Sequence, residues 1–138
     1  MMAKTSRIIM LTVGLLIAAA QPGLLAQDKG RDTPETVLAT FRVKADQLDA
    51  FLRLMPKYRA ALREKNLVTA EPYLLLQGEE DGKTIVIEVF SWINHDVPEH
   101  VPPEIQTYWT RMNSMLEDRG NHRGIEFPEM NLIQPRLP

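Results

Sequence analysis

The stretch PYLLLQGEEDGKTIVIEVFSW, residues 72–92, constrains the fold more than any other part of the chain. Two runs rich in β-formers flank Asp81-Gly82, a pair that tolerates the positive backbone angles of a tight turn, so the segment reads as an antiparallel hairpin. Neither run alternates. One reads Tyr73-Leu74-Leu75-Leu76 and the other Ile85-Val86-Ile87-Glu88-Val89-Phe90, which makes both faces of the hairpin apolar. Antiparallel sheets with one wet face normally alternate apolar and polar residues. Both faces of this hairpin therefore need cover, because a bare Ile/Leu face of roughly several hundred Å² is a large patch for a monomer.

The rest of the chain supplies half of that cover. In TVLATFRVK, residues 36–44, Val37, Ala39, Phe41 and Val43 share one side of a strand. Asp46 then suits a helix cap, and Leu48, Phe51, Leu52, Met55, Tyr58 and Leu62 recur at helical spacing, with a kink expected at Pro56. After the hairpin, Pro102 and Pro103 suit the first turn of a second helix, whose apolar stripe is Ile105, Tyr108, Trp109, Met112, Met115 and Leu116. Ile125 and Phe127 alternate ahead of Pro128 and read as a last, edge strand.

The order β-α-β-β-α-β predicts an α+β, ferredoxin-like fold: a four-stranded antiparallel sheet with two helices on one face. Two helices cover one face only. The other predicts a homodimer, two copies packed sheet to sheet about a two-fold axis.

The front of the chain reads as a segment to be removed. Lys4 and Arg7 precede an apolar run over residues 8–20, and small residues follow, the layout of a secretory signal peptide. The run is shorter than the about 20 apolar residues a spanning helix needs. Cleavage after Ala20 or after Ala26 fits, the second being preferred because Gln27 opens a polar stretch. The organisation expected is a signal peptide over 1–26, a flexible leader over 27–35, the folded domain over 36–132 and a tail over 133–138. The destination is the periplasm or the exterior, with no stable membrane insertion after cleavage. Removing Lys4 and Arg7 and no acid takes the formal charge from −2 to −4, which argues against a nucleic-acid partner. The absence of cysteine excludes disulfides, thiol catalysis and thiolate metal sites.

Chemistry-bearing residues gather around one strand and the loop after it. Glu88 interrupts an apolar strand, where an unpaired carboxylate is costly, and Arg42, the one base within the first strand, is its expected partner. In SWINHDVPEHVPPEIQTYW, residues 91–109, His95 and His100 sit with Asp96 and Glu99. Histidine suits proton transfer near neutral pH. A His/Glu/His set binds zinc or iron when a loop folds the side chains together, but HDVPEH matches no established ligand spacing, and no metal site is read here. The prolines give the same loop a plain role as a stiff crossover. Trp92, Tyr108, Trp109, Tyr58 and Phe90 belong to the core by their spacing, or line an aromatic pocket if helices and sheet leave one. No nucleophile elbow, phosphate-cradling glycine loop or paired-carboxylate signature is present.

Strand order, the two-faced apolar sheet, the strand end EVFSW with Trp92, and His100 eight residues further on resemble the antibiotic biosynthesis monooxygenase-like (ABM) domains of the dimeric α+β barrel superfamily. The resemblance implies a cofactor-independent monooxygenase acting on phenolic or quinol substrates. His100 or His95 would be the base, Trp92 and Tyr108 would orient the substrate, and Arg42 or Glu88 would tune charge. Tyr58, Phe90 and Trp109 would complete a seat for a small aromatic or hydrophobic ligand. Haem-degrading relatives use an asparagine on the first strand and a histidine on the second helix. This first strand has no asparagine, and His100 precedes Pro102 and Pro103, ahead of the helix. The expectation is therefore no cofactor, with haem binding through His100 as a subsidiary alternative. A non-catalytic binding or structural module is the other class of function.

Overall fold

The central hairpin forms as its turn chemistry requires. In a computed structural model describing residues 32–131 and 133, strand β2 (Val68–Glu80) returns as β3 (Lys83–Trp92). Asp81 and Gly82 both carry positive φ, 52° and 73°, between paired Glu80 and Lys83. Strand β2 starts earlier than its apolar run, at Val68. Its register shifts between Val68 and Tyr73, where the Glu71–Pro72 peptide is cis.

Strand β1 (Glu35–Phe41) pairs antiparallel with the other side of β3, which gives the order β1-β3-β2. Helices α1 (Leu48–Glu64) and α2 (Pro103–Ser114) cover one face. From α1, Phe51, Met55, Tyr58 and Leu62 pack with Ile105 and Met112 of α2 against Val37, Ala39, Phe41, Val86, Phe90 and Trp92 of the sheet. Helix α1 runs unbroken through Pro56, whose ring lies on the exposed side. Asp46 does not cap it: Asp46 falls in a 3-10 turn, Ala45–Gln47, and Gln47 holds the cap position without a side-chain bond.

The sheet has three strands where four were expected. Residues 126–130 do lie along the free edge of β1, the position of the fourth strand in the ferredoxin-like order. Thr40 N–H donates to Glu126 O at 3.0 Å, Leu38 N–H to Pro128 O at 3.1 Å, and Met130 N–H to Thr36 O at 2.7 Å. Pro128, facing Leu38, has no N–H to return. The pairing therefore breaks into isolated bridges, Val37 with Glu129 and Thr40 with Glu126, and no ladder forms.

On the face away from the helices, Leu74 and Leu76 are 53% and 51% exposed, and Ile85, Ile87 and Val89 are half-buried. The expected signal peptide over residues 1–26, residues 27–31 of the expected leader, Leu132 and residues 134–138 lie outside the described residues. Within those described, no helix is long and apolar enough to cross a membrane.

Candidate functional site

Strand parity places Glu88 in the core. On β3 the even-numbered Val86, Glu88, Phe90 and Trp92 face the helices, and Glu88 stands between Ala39 of β1 and Leu75 of β2. It is 0% exposed, and neither carboxylate oxygen has a hydrogen-bond partner. Burial pushes its carboxyl up to about 7, against a smaller opposing pull from Arg59.

The expected Arg42–Glu88 pair does not form. Arg42 lies beyond the end of β1, past the Phe41–Val86 pair, and on the opposite parity from Ala39. Its guanidinium instead binds Glu80, with Nε 2.9 Å from Oε2, and Glu126, with Nη1 2.9 Å from Oε1. This holds the end of the hairpin to the C-terminal segment.

The base that shares the core with Glu88 is Arg59 of α1. Its Nη2 donates to the carbonyl of Thr69 at 2.9 Å, and its guanidinium carbon lies 4.3 Å from the Tyr73 ring centre. Its Nη1 is buried without a partner, just as the Glu88 oxygens are. One helix position away, Tyr58 is fully buried and accepts a hydrogen bond from Trp109 Nε1 at 2.9 Å. Burial, and then the charge of Glu88, hold both the Tyr58 and the Tyr73 hydroxyls above the ordinary phenol range.

The aromatic residues singled out from the sequence come together in one cluster. Phe90 meets Trp92 edge-on at 4.8 Å, Trp92 meets Trp109 at 6.3 Å, and Tyr58 meets Tyr108 at 5.8 Å. Phe127 of the C-terminal segment extends the chain, 5.8 Å from Trp109. Tyr108 also forms part of the wall of an outer groove of about 290 Å³ between α1 and α2, lined further by Leu54, Lys57, Glu104, Thr107 and Arg111. The Tyr108 ring therefore touches both that groove and Tyr58.

The two histidines sit apart from the cluster. His100 is exposed, and its Nδ1 lies 2.9 Å from the carbonyl of Asp96, in its own loop. His95 is half-exposed, with Nδ1 3.5 Å from Glu35 Oε2. Neither makes a hydrogen bond or ring contact with the aromatic residues. Haem is poorly served by this arrangement: its expected ligand His100 is on the surface, away from the aromatic cluster, and β1 carries no asparagine.

Arg59 and Tyr73 were not read from the sequence as site residues. Arg59 had a usable signal, since it stands four residues after Met55 and three before Leu62, inside the apolar stripe of α1.

No protein-family sequence model and no curated protein matches the chain. Solved structures do match it in fold. An antibiotic biosynthesis monooxygenase superposes with a TM-score of 0.55 at 16% identity, over 72% of this chain and 99% of its own. A protein from Nitrosomonas europaea, provisionally assigned the same activity, gives 0.56 at 11% identity, over 76% and 95%. A conserved protein from Bacteroides thetaiotaomicron VPI-5482, named a possible oxidoreductase, gives 0.54 at 12% identity, over 72% and 99%. The chain thus has the α+β fold of the ABM domains, with two helices against one antiparallel sheet.

Proposed function

We propose that this is an exported, homodimeric ABM-like protein that holds a small phenolic or quinol molecule against Glu88 and acts on it as a cofactor-independent monooxygenase. One observation carries the reading: the carboxyl of Glu88 and the Nη1 of Arg59 are both buried and both without a hydrogen-bond partner, and the Arg59 guanidinium lies over the Tyr73 ring. Buried polar groups without partners are costly, and a ligand hydroxyl would supply the missing partner. A carboxyl titrating at about 7 is ionised in part at neutral pH, which suits a base for a phenol. This moves the base role from His95 and His100 to Glu88, because both histidines lie outside the cluster. Tyr108 would be the ring that moves to admit the ligand from the outer groove.

In the reaction, the phenolic proton passes to Glu88 and the resulting electron-rich ring reduces oxygen directly. One oxygen atom enters at a ring carbon, the other leaves as water, and the substrate supplies all four electrons. Oxygen uptake with a panel of quinols and phenols tests this. Wild type should consume oxygen with at least one of them, and Glu88→Gln should be slower by about a hundredfold or more, the usual range for losing a general base.

A second reading, a non-catalytic binding or structural module, is favoured by the filling of the core: Tyr58, Phe90 and Met112 are 0% exposed and Trp92 is 1%. Quinol binding without oxygen uptake would select a binding module, and neither binding nor uptake a structural one. Export rests on the signal-peptide pattern of residues 1–26, and dimerisation on the exposed Leu74 and Leu76 of the uncovered sheet face.

A further inference from the structure

Three segments far apart in sequence meet at one end of the sheet. Glu35 opens β1 opposite Trp92, His95 lies three residues past the end of β3, and Glu129 is held beside β1 through its bridge to Val37. Their side chains converge: one nitrogen or oxygen from each lies within 4.8 Å of the others. His95 Nδ1 and Glu35 Oε2 are 3.5 Å apart. Two donors each about 2.1 Å from a tetrahedral Zn2+ stand about 3.4 Å from one another, so this pair already has the needed spacing. Glu129 is exposed, which leaves it free to close the remaining distance.

The charge at this place is otherwise unbalanced. Glu99 adds a third carboxylate near Glu35. Among the described residues, Glu35, Glu99 and Glu129 make no ion pair with any Lys or Arg, and Glu35 has only His95 as an ionic partner. Acids gathered in this way favour a bound cation over mutual repulsion.

We propose that Glu35, His95 and Glu129 form a binding site for a divalent transition-metal ion. One imidazole nitrogen with two carboxylates is a donor set that suits Zn2+ or Mn2+ and disfavours Ca2+, which takes oxygen donors. Glu129 is exposed and His95 half-exposed, so water could fill the remaining coordination positions. The ion would join the start of β1, the loop after β3 and the C-terminal segment. It would pin that segment to β1 next to Pro128, where backbone pairing fails. Glu35 borders the aromatic cluster through its pairing with Trp92, four residues along β3 from Glu88, but metal binding there does not rest on the oxygenase reading.

The test is calorimetric titration of the untagged, chelator-treated full-length protein with Zn2+, Mn2+ and Ca2+, combined with thermal melts. One Zn2+ should bind per chain and raise the melting temperature, with Ca2+ at least tenfold weaker. His95→Ala and Glu129→Gln should each weaken Zn2+ by at least tenfold, while His122→Ala, on the exposed turn, should leave it unchanged. Glu129 is exposed, so Glu129→Gln remains folded if His95→Ala does not. The proposal is overturned if no Zn2+ binds, if Ca2+ binds as tightly as Zn2+, or if affinity is unaffected in Glu129→Gln. Loss in His122→Ala comparable to that in His95→Ala would place the ion on surface histidines and overturn it equally.

Discussion

The indole N–H of Trp109 donates to the hydroxyl of Tyr58 at 2.9 Å, joining α2 to α1 through the middle of the aromatic cluster. Tyr58 is fully buried, so its oxygen has no water to fall back on, and Trp109 Nε1 depends on that oxygen for its partner. Tyr58→Phe keeps the ring and removes the acceptor. The cost expected is about 1 to 2 kcal/mol, the value of a buried hydrogen bond with one group left unsatisfied. Urea denaturation followed by tryptophan fluorescence measures it, and an unchanged midpoint would mean that the bond contributes nothing.

Glu88 imposes a pH dependence whose sign is set by its environment. The folded carboxyl holds its proton up to about 7, whereas the unfolded one releases it near 4.5. Stability from this group is therefore fully present below the unfolded value and is lost as the pH rises through the folded one. The full difference is about 3 kcal/mol. Glu88→Gln removes the titration, so the variant should gain on wild type between pH 5 and pH 8 in paired thermal melts. Parallel stability curves for the two proteins would sink the assignment.

The legible parts of this fold are those set by local pattern. The Asp81-Gly82 turn, the stripes of both helices and the two-faced hairpin can be read from neighbours in sequence, and they appear as read, except that α2 stops at Ser114 and leaves Met115 and Leu116 of its stripe beyond its end. The aromatic cluster was legible as residue types at helical and strand spacing. What depends on register was not. Pairing Glu88 with Arg42 assumed that any base on the adjacent strand lies across from it. The register puts Ala39 there, and the charge comes from α1 instead. The fourth strand failed for a reason visible in the sequence, since Pro128 lacks the donor its place opposite Leu38 requires. The convergence of Glu35 and Glu129 on His95 had no sequence signal, because the three come from unrelated segments.

Arg42 holds the hairpin end and the C-terminal segment together through Glu80 and Glu126. Because residues 126–130 meet β1 only through isolated bridges, this ion pair is a main attachment of that segment. Arg42→Met keeps most of the side-chain stem and deletes the charge. The backbone amides of Glu126 and Met130, which donate to β1, should then exchange with solvent at least tenfold faster, while those of β3 stay protected, as read by hydrogen exchange. Equal acceleration across the whole sheet would indicate global destabilisation and not a lost attachment.

The uncovered sheet face carries the prediction of assembly. Leu74 and Leu76 protrude beside half-buried Ile85, Ile87 and Val89, and strand parity sets this group apart from Glu88 and the helix-side core. An apolar face of this kind is normally covered, and a self-complementary two-fold contact covers both copies at once. Light scattering should give twice the chain mass for wild type. Leu76→Asp puts a charge on this face of each copy without touching the core, and should give a monomer with unchanged circular dichroism. A monomeric wild type would contradict the prediction outright. A variant that remains dimeric would show that the copies meet through some other surface.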